Sequence, residues 1–192
     1  MAFLPIRLPI GKLFWGQLLL ILCCALYLAF WSVGYNPHVS FGMAPKAALF
    51  ACTALCGAAG AVLVVSGINA TEQKPVPQLA IVLAGVGAYV LLLLLSLWIW
   101  KRQVTTELAL ILAWAVLELS TLNALAGAHA WSRPWLVGFA VIVAIAVAGS
   151  MVCYLLYYRL PENTAFVVGM VPLILLALVM AGVCCRIAWK AS

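Results

Sequence analysis

The chain contains six apolar runs, each long enough for a helix that crosses a lipid bilayer. They cover about 13–33, 46–68, 78–100, 106–128, 135–158 and 164–189. A helix rises about 1.5 Å per residue, so about 20 apolar residues span a hydrocarbon core about 30 Å thick. We therefore predict an all-α integral membrane protein: a bundle of six transmembrane helices, with one transmembrane domain over 1–192 and both termini on the same side.

Composition excludes the main alternatives to a membrane protein. Hydrophobic residues make up 68% of the chain and charged residues 7%, whereas a soluble domain carries roughly 45–50% and about 25%. The ten Lys and Arg lie mostly at the ends of apolar runs, which is typical of interfacial anchors and not of a nucleic-acid surface. The expected partners are the lipid bilayer and either other membrane subunits or further copies of the chain, with no nucleic acid.

Tryptophans and breaker residues support the span limits. Proline, glycine and charged residues fill the short connections, and these residues interrupt helices. Tryptophan is favoured at the membrane interface. Seven of the eight tryptophans lie at predicted span ends: Trp15, Trp31, Trp98, Trp100, Trp131, Trp135 and Trp189.

The distribution of basic residues predicts an orientation. The side of the termini would carry Arg7, Lys12, Lys74, Arg133, Arg186 and Lys190, and the other side Lys46, Lys101, Arg102 and Arg159. Since basic residues are enriched on the cytoplasmic side, six against four favours cytoplasmic termini.

Small residues recur at every fourth position in two spans. The second span has Ala48, Cys52, Cys56 and Gly60, beside a parallel stripe of Thr53, Gly57 and Ala61, and the third has Ala80, Ala84 and Ala88. Small side chains let membrane helices approach closely. We expect these stripes to pack inside the bundle, with a homodimer face as the alternative.

Glu118 is the most informative polar residue. The chain has no Asp and four Glu, and Glu118 lies about eleven residues from either end of the fourth span. A charged carboxylate at that depth costs about 2.5–3.5 kcal/mol on insertion scales and is a functional candidate by default. We expect the carboxyl to be neutral unless a cation or hydrogen-bond donors stabilise its charge.

Other polar groups of the fourth span surround Glu118. At about 100° per residue, Glu107, Trp114 and His129 fall within about 40° of Glu118, and Thr121 lies about 60° away. Asn123 and Ser120 add polar groups on other faces, so this helix is expected to be central. The stripe is either a proton- or cation-conducting path or interhelical hydrogen bonding with no transport role.

Pro172 in the sixth span is a candidate binding-site break. Proline removes one backbone hydrogen bond and leaves the Val168 carbonyl free, and the nearby Gly169 eases the distortion. Transporters use such breaks at binding sites, although a plain kink is the alternative.

No cofactor or metal is expected. The seven cysteines all lie in apolar runs, where a thiol behaves as a small hydrophobe. The two histidines, His38 and His129, are predicted on opposite sides of the membrane, which excludes a haem held by both. Without Asp, clustered His or a nucleophile-elbow motif, an enzyme is disfavoured.

Two function classes remain. One is a small membrane transporter or permease component, coupled to protons or cations through Glu118, with Thr121, Trp114, Asn123, Glu107, His129 and Pro172 as further site residues. The other is a non-catalytic membrane anchor or accessory subunit of a larger complex. The buried glutamate favours transport, whereas the lack of internal repeats favours the subunit.

Overall fold

The computed structural model describes residues 8–36, 41–101 and 106–191, which form helices and no strand. The helices are α1 (Leu8–Gly34), α2 (Met43–Asn69), α3 (Gln78–Leu95), α4 (Thr106–Gly127), α5 (Arg133–Tyr157) and α6 (Glu162–Ala191), and a π-helical turn (Ser96–Trp100) follows α3. All six are long and apolar enough to cross a membrane. The predicted six-helix, all-α fold is confirmed, whereas membrane insertion and the side of the termini stay predictions.

Helix bounds lie within a few residues of the predicted spans. The end of the third span differs in kind, because α3 stops at Leu95 and the chain continues as a π-helical turn to Trp100. Lys101 then adopts a left-handed conformation, with φ 52°. A backbone of this kind cannot continue a right-handed helix, so the span ends where the basic residues begin.

The chain divides into two compact units. One contains α1, α2, α6 and the part of α5 from Ala148 onward, and the other is the segment Thr71–Val147. The single transmembrane domain expected over 1–192 stays a prediction.

In the first unit, α1 and α2 pack at glycines. A Cβ atom on Gly16 would lie 2.8 Å from the backbone nitrogen of Val64, and one on Gly60 would lie 3.0 Å from the carbonyl oxygen of Gly16. Gly67 is equally close to Leu13, 2.9 Å from its Cγ. The two backbones are therefore in direct contact, as small residues permit between membrane helices.

The packed face of α2 differs in part from the predicted stripe. Gly60 is buried as expected, but Ala48 and Cys52 are exposed. The buried face is instead formed by Thr53, Gly60, Val64, Gly67 and Ile68. It diverges from the predicted stripe because residues four apart drift around a helix of 3.6 residues per turn, so a contact line of this length alternates steps of three and four.

α1 also packs on α6, through Trp31. Its indole Nε1 donates to the carbonyl oxygen of Phe166 at 3.1 Å, and a Cβ on Gly169 would lie 2.6 Å from the ring. Gly169 thus provides space for an indole, a role that the sequence did not suggest.

In the second unit, α3 contacts α4 where Gly85 faces Val116. Ala80, Ala84 and Ala88 line a cavity between α3, α4 and the first half of α5. The predicted alanine stripe therefore faces its neighbours across open space.

Candidate functional site

α4 is by far the most buried of the six candidate spans. Its most apolar window is 67% buried, against 6–22% for the other five. Glu118 and Thr121 are both 0% exposed, and Ser120 is 1% exposed. The chain's most polar helix is thus also its most enclosed one.

Glu118 shares one face of α4 with Trp114 and Thr121. The Thr121 hydroxyl donates to the carbonyl oxygen of Leu117 at 2.9 Å, which leaves its oxygen available as an acceptor. Trp114 is 9% exposed, and its Nε1–H has no acceptor among the described residues. A donor, a carboxyl and an acceptor therefore lie within two helical turns of α4.

Asn123 holds the chain segment before α3. Its Oδ1 accepts from the Val76 backbone N–H at 3.1 Å, and its Nδ2 donates to the Val76 carbonyl oxygen at 2.7 Å. Pro75 and Pro77 flank Val76 and have no N–H of their own. One amide side chain thus satisfies both backbone groups of the residue between two prolines.

Ser120 and Gly127 extend the same attachment. Gln78 Nε2 donates to the Ser120 hydroxyl, which itself donates to the Val116 carbonyl oxygen at 2.6 Å. Gly127 packs against the backbone of Gln73 so closely that a Cβ atom would have no room. Sequence reasoning identified the polarity of Ser120 and Asn123 but not their partners. The segment Pro75–Pro77 stands out in the sequence, but nothing in it indicates which helix hydrogen-bonds to Val76.

The remaining candidate residues are Glu107, His129 and Pro172. Glu107 is in the first turn of α4, but its side chain is outside the described residues, as is His38. His129 is exposed and lies past the end of α4 with φ 51°, so the ideal-helix angle does not apply to it. Pro172 lies inside α6, in the other unit.

The cysteines and acidic groups form no metal centre in the described part of the chain. No group of three or more His, Cys, Asp or Glu there could hold an ion. Cys23 instead contacts the Thr53 carbonyl oxygen at 3.3 Å, between α1 and α2.

Comparison with known proteins gives no relative for this architecture. No protein-family model, curated protein or solved structure matches the chain. The site must therefore be interpreted from its own chemistry.

Proposed function

We propose that the protein is a small polytopic membrane transporter or permease component, coupled to protons or cations through Glu118. The observation that carries the proposal is the position of Glu118, fully buried in α4. It lies about 18 Å from the first residue of that helix and about 13 Å from the last, at about 1.5 Å per residue. An intramembrane ionisable residue is a functional-site hypothesis by default, since such residues mark ion pathways and proton relays in membrane proteins.

Trp114 and Thr121 supply the polar groups that a solute or water needs beside Glu118. A buried indole N–H without an acceptor loses its hydrogen bond to water and so destabilises the fold. A bound solute or water with an acceptor atom would restore that bond. Neutral Glu118 could donate its proton to such a guest, and an approaching cation would favour the carboxylate.

Proton movement in liposomes tests this proposal. Purified protein is reconstituted with a trapped pH indicator, and a panel of small solutes is added under an imposed membrane potential. We expect at least one solute to change the internal pH faster than in protein-free liposomes. Glu118→Gln should remove the change because an amide carries no exchangeable charge.

Glu162→Gln is the matched control, since Glu162 is exposed in the first turn of α6. It should leave the pH change intact. Wild-type liposomes that respond like empty ones to every solute, or equal responses in both variants, would contradict coupling through Glu118.

The second candidate function is an accessory subunit or anchor of a membrane complex. It is favoured by α3, which has no buried residue along its length and so offers a full face to lipid or to another protein. Under this alternative a second polypeptide would copurify in mild detergent, and Glu118→Gln would leave its stoichiometry unchanged.

A further inference from the structure

The cavity in the second unit has a volume of about 440 Å³ and is partly open. Such a volume is within the range of roughly 300–1,000 Å³ that small-molecule sites occupy. Alanines on three helices leave this space: Ala80, Ala84 and Ala88 on α3, Ala115 on α4, and Ala140 and Ala144 on α5. We call this cavity the alanine groove.

The lining of the alanine groove selects an aliphatic occupant. Every residue along it is Ala, Val, Leu, Ile or Gly, so no lining side chain offers a hydrogen-bond donor or acceptor. A polar solute would lose its hydrogen bonds to water there without replacement. A hydrocarbon chain loses none and gains van der Waals contacts on three sides.

The depth of the alanine groove indicates which kind of hydrocarbon would fill it. The groove extends from Val76, just before α3, to Ala88, which is ten residues past Gln78, the first residue of that helix. At about 1.5 Å per residue this is about 15 Å, or half of a hydrocarbon core about 30 Å thick.

On α4 the lining runs from Leu119 to Leu112 and on α5 from Ala140 to Val147, which is about 12–23 Å from the end of α4 and about 10–21 Å from the start of α5. In a bilayer the groove would therefore hold the inner part of an acyl chain and reach slightly past the middle.

We call the end of the unit that holds Val76 the mouth of the groove, and the charged residues at this end favour an anionic head group. α3 begins, α4 ends and α5 begins at this end of the unit, as the contact between Gly127 and Gln73 requires. Lys74 lies two residues before Val76, and Arg133 is the first residue of α5. The acidic residue nearby is Glu72, so basic groups are in excess and attract a phosphate.

The mouth is also held in shape before any lipid arrives. Asn123 hydrogen-bonds both backbone groups of Val76, and Ser120 accepts from Gln78. Preorganised sites lose less conformational entropy on binding.

We propose that the alanine groove binds one acyl chain of an anionic phospholipid, with its phosphate near Lys74 and Arg133. The site does not involve Glu118, so it stands or falls independently of the proposed transport function.

Native mass spectrometry of the full-length protein in mild detergent tests the groove. Dipalmitoyl phosphatidylglycerol or dipalmitoyl phosphatidylcholine is added as the probe. We expect the wild type to retain one phosphatidylglycerol in preference to phosphatidylcholine. Ala84→Phe, from the α3 wall, and Ala144→Phe, from the α5 wall, should each weaken retention by about tenfold, or about 1.4 kcal/mol.

Val86→Phe is the matched control, because Val86 is 54% exposed on another face of α3 and should leave retention unchanged. The thermal unfolding midpoint of each phenylalanine variant should equal that of the wild type, which shows that the variant is folded. Loss of lipid in both folded variants, one from each wall, is then due to the filled groove. The double variant Lys74→Gln/Arg133→Gln should lose the preference for phosphatidylglycerol and still retain either lipid.

Three results would overturn the proposal. The first is a wild type that retains neither lipid. The second is equal retention in both groove variants and Val86→Phe. The third is a doubled mass that Ala84→Phe abolishes, which would show that a second copy of the chain occupies the groove.

Discussion

At the scale of single residues, two side chains of α4 illustrate opposite ways to bury a polar group. Asn123 is 7% exposed and hydrogen-bonds Val76 through both of its amide atoms, so its burial costs little. Trp114 is similarly buried, but its N–H has no acceptor among the described residues. Asn123 therefore has a structural role, whereas Trp114 retains an unused donor.

Glu118→Gln should preserve folding. The amide has nearly the same shape and hydrogen-bonding capacity as the protonated carboxyl that we expect at this depth. The thermal unfolding midpoint in detergent should stay close to that of the unmodified protein. A large loss of stability would instead show that a charged carboxylate holds a cationic or donor partner.

Asn123→Ala should destabilise the protein by about 1–3 kcal/mol, because it leaves the N–H and C=O of Val76 without their side-chain partner. Unfolding by denaturant, followed by tryptophan fluorescence, would measure the change. Asn69→Ala at the exposed end of α2 is the control and should be nearly silent. Equal effects of the two substitutions would remove the structural role of Asn123.

At the scale of elements, the pairing of α1 with α2 depends on glycines whose backbones meet. Gly16 and Gly60 approach each other's helices so closely that neither position has room for a methyl group. In lipid no hydrophobic force drives helices together. Close contact of this kind therefore stabilises the helix pair through van der Waals packing. The pairing is therefore sensitive to any added side chain.

Gly60→Leu should cost about 1–3 kcal/mol, the usual range for overpacking, because its Cβ would lie 2.9 Å from the Cγ of Leu20. Gly87→Leu is the matched control, since no heavy atom lies within 4 Å of a Cβ at that position. Thermal unfolding midpoints of the two variants and of the unmodified protein, measured in the same detergent, would test this. If both variants unfold at the same temperature, α2 does not pack through Gly60.

At the scale of the whole molecule, six membrane crossings would place both termini on one side of the membrane, and this stays a prediction. The excess of basic residues predicts that this side is the cytoplasm. Epitope tags at the two ends should both be inaccessible to antibody in intact cells and accessible after permeabilisation. Exposure of one end alone would contradict six crossings, and exposure of both would reverse the orientation.

The number, type and limits of the helices could be predicted from the sequence alone. Apolar runs long enough to cross a bilayer have few alternatives to helix, because every backbone group in hydrocarbon needs an internal hydrogen bond. Glu118 could also be singled out, since a lone carboxyl in such a run is conspicuous. Both inferences depend only on the positions of residues along the chain, and not on which helices are neighbours.

Which faces of these helices meet was decided by the tertiary structure. In a chain this apolar, exposed and packed faces have nearly the same composition. Ala48 and Cys52 therefore resemble Gly60 in sequence and yet lie exposed. The partners of Asn123 and Ser120 were equally hidden, because they lie in a segment more than 40 residues away. The alanine stripe of α3 lines a groove only because α4 and α5 also place alanines there. The sequence does not show which residues of separate helices face each other, because that depends on how the helices pack.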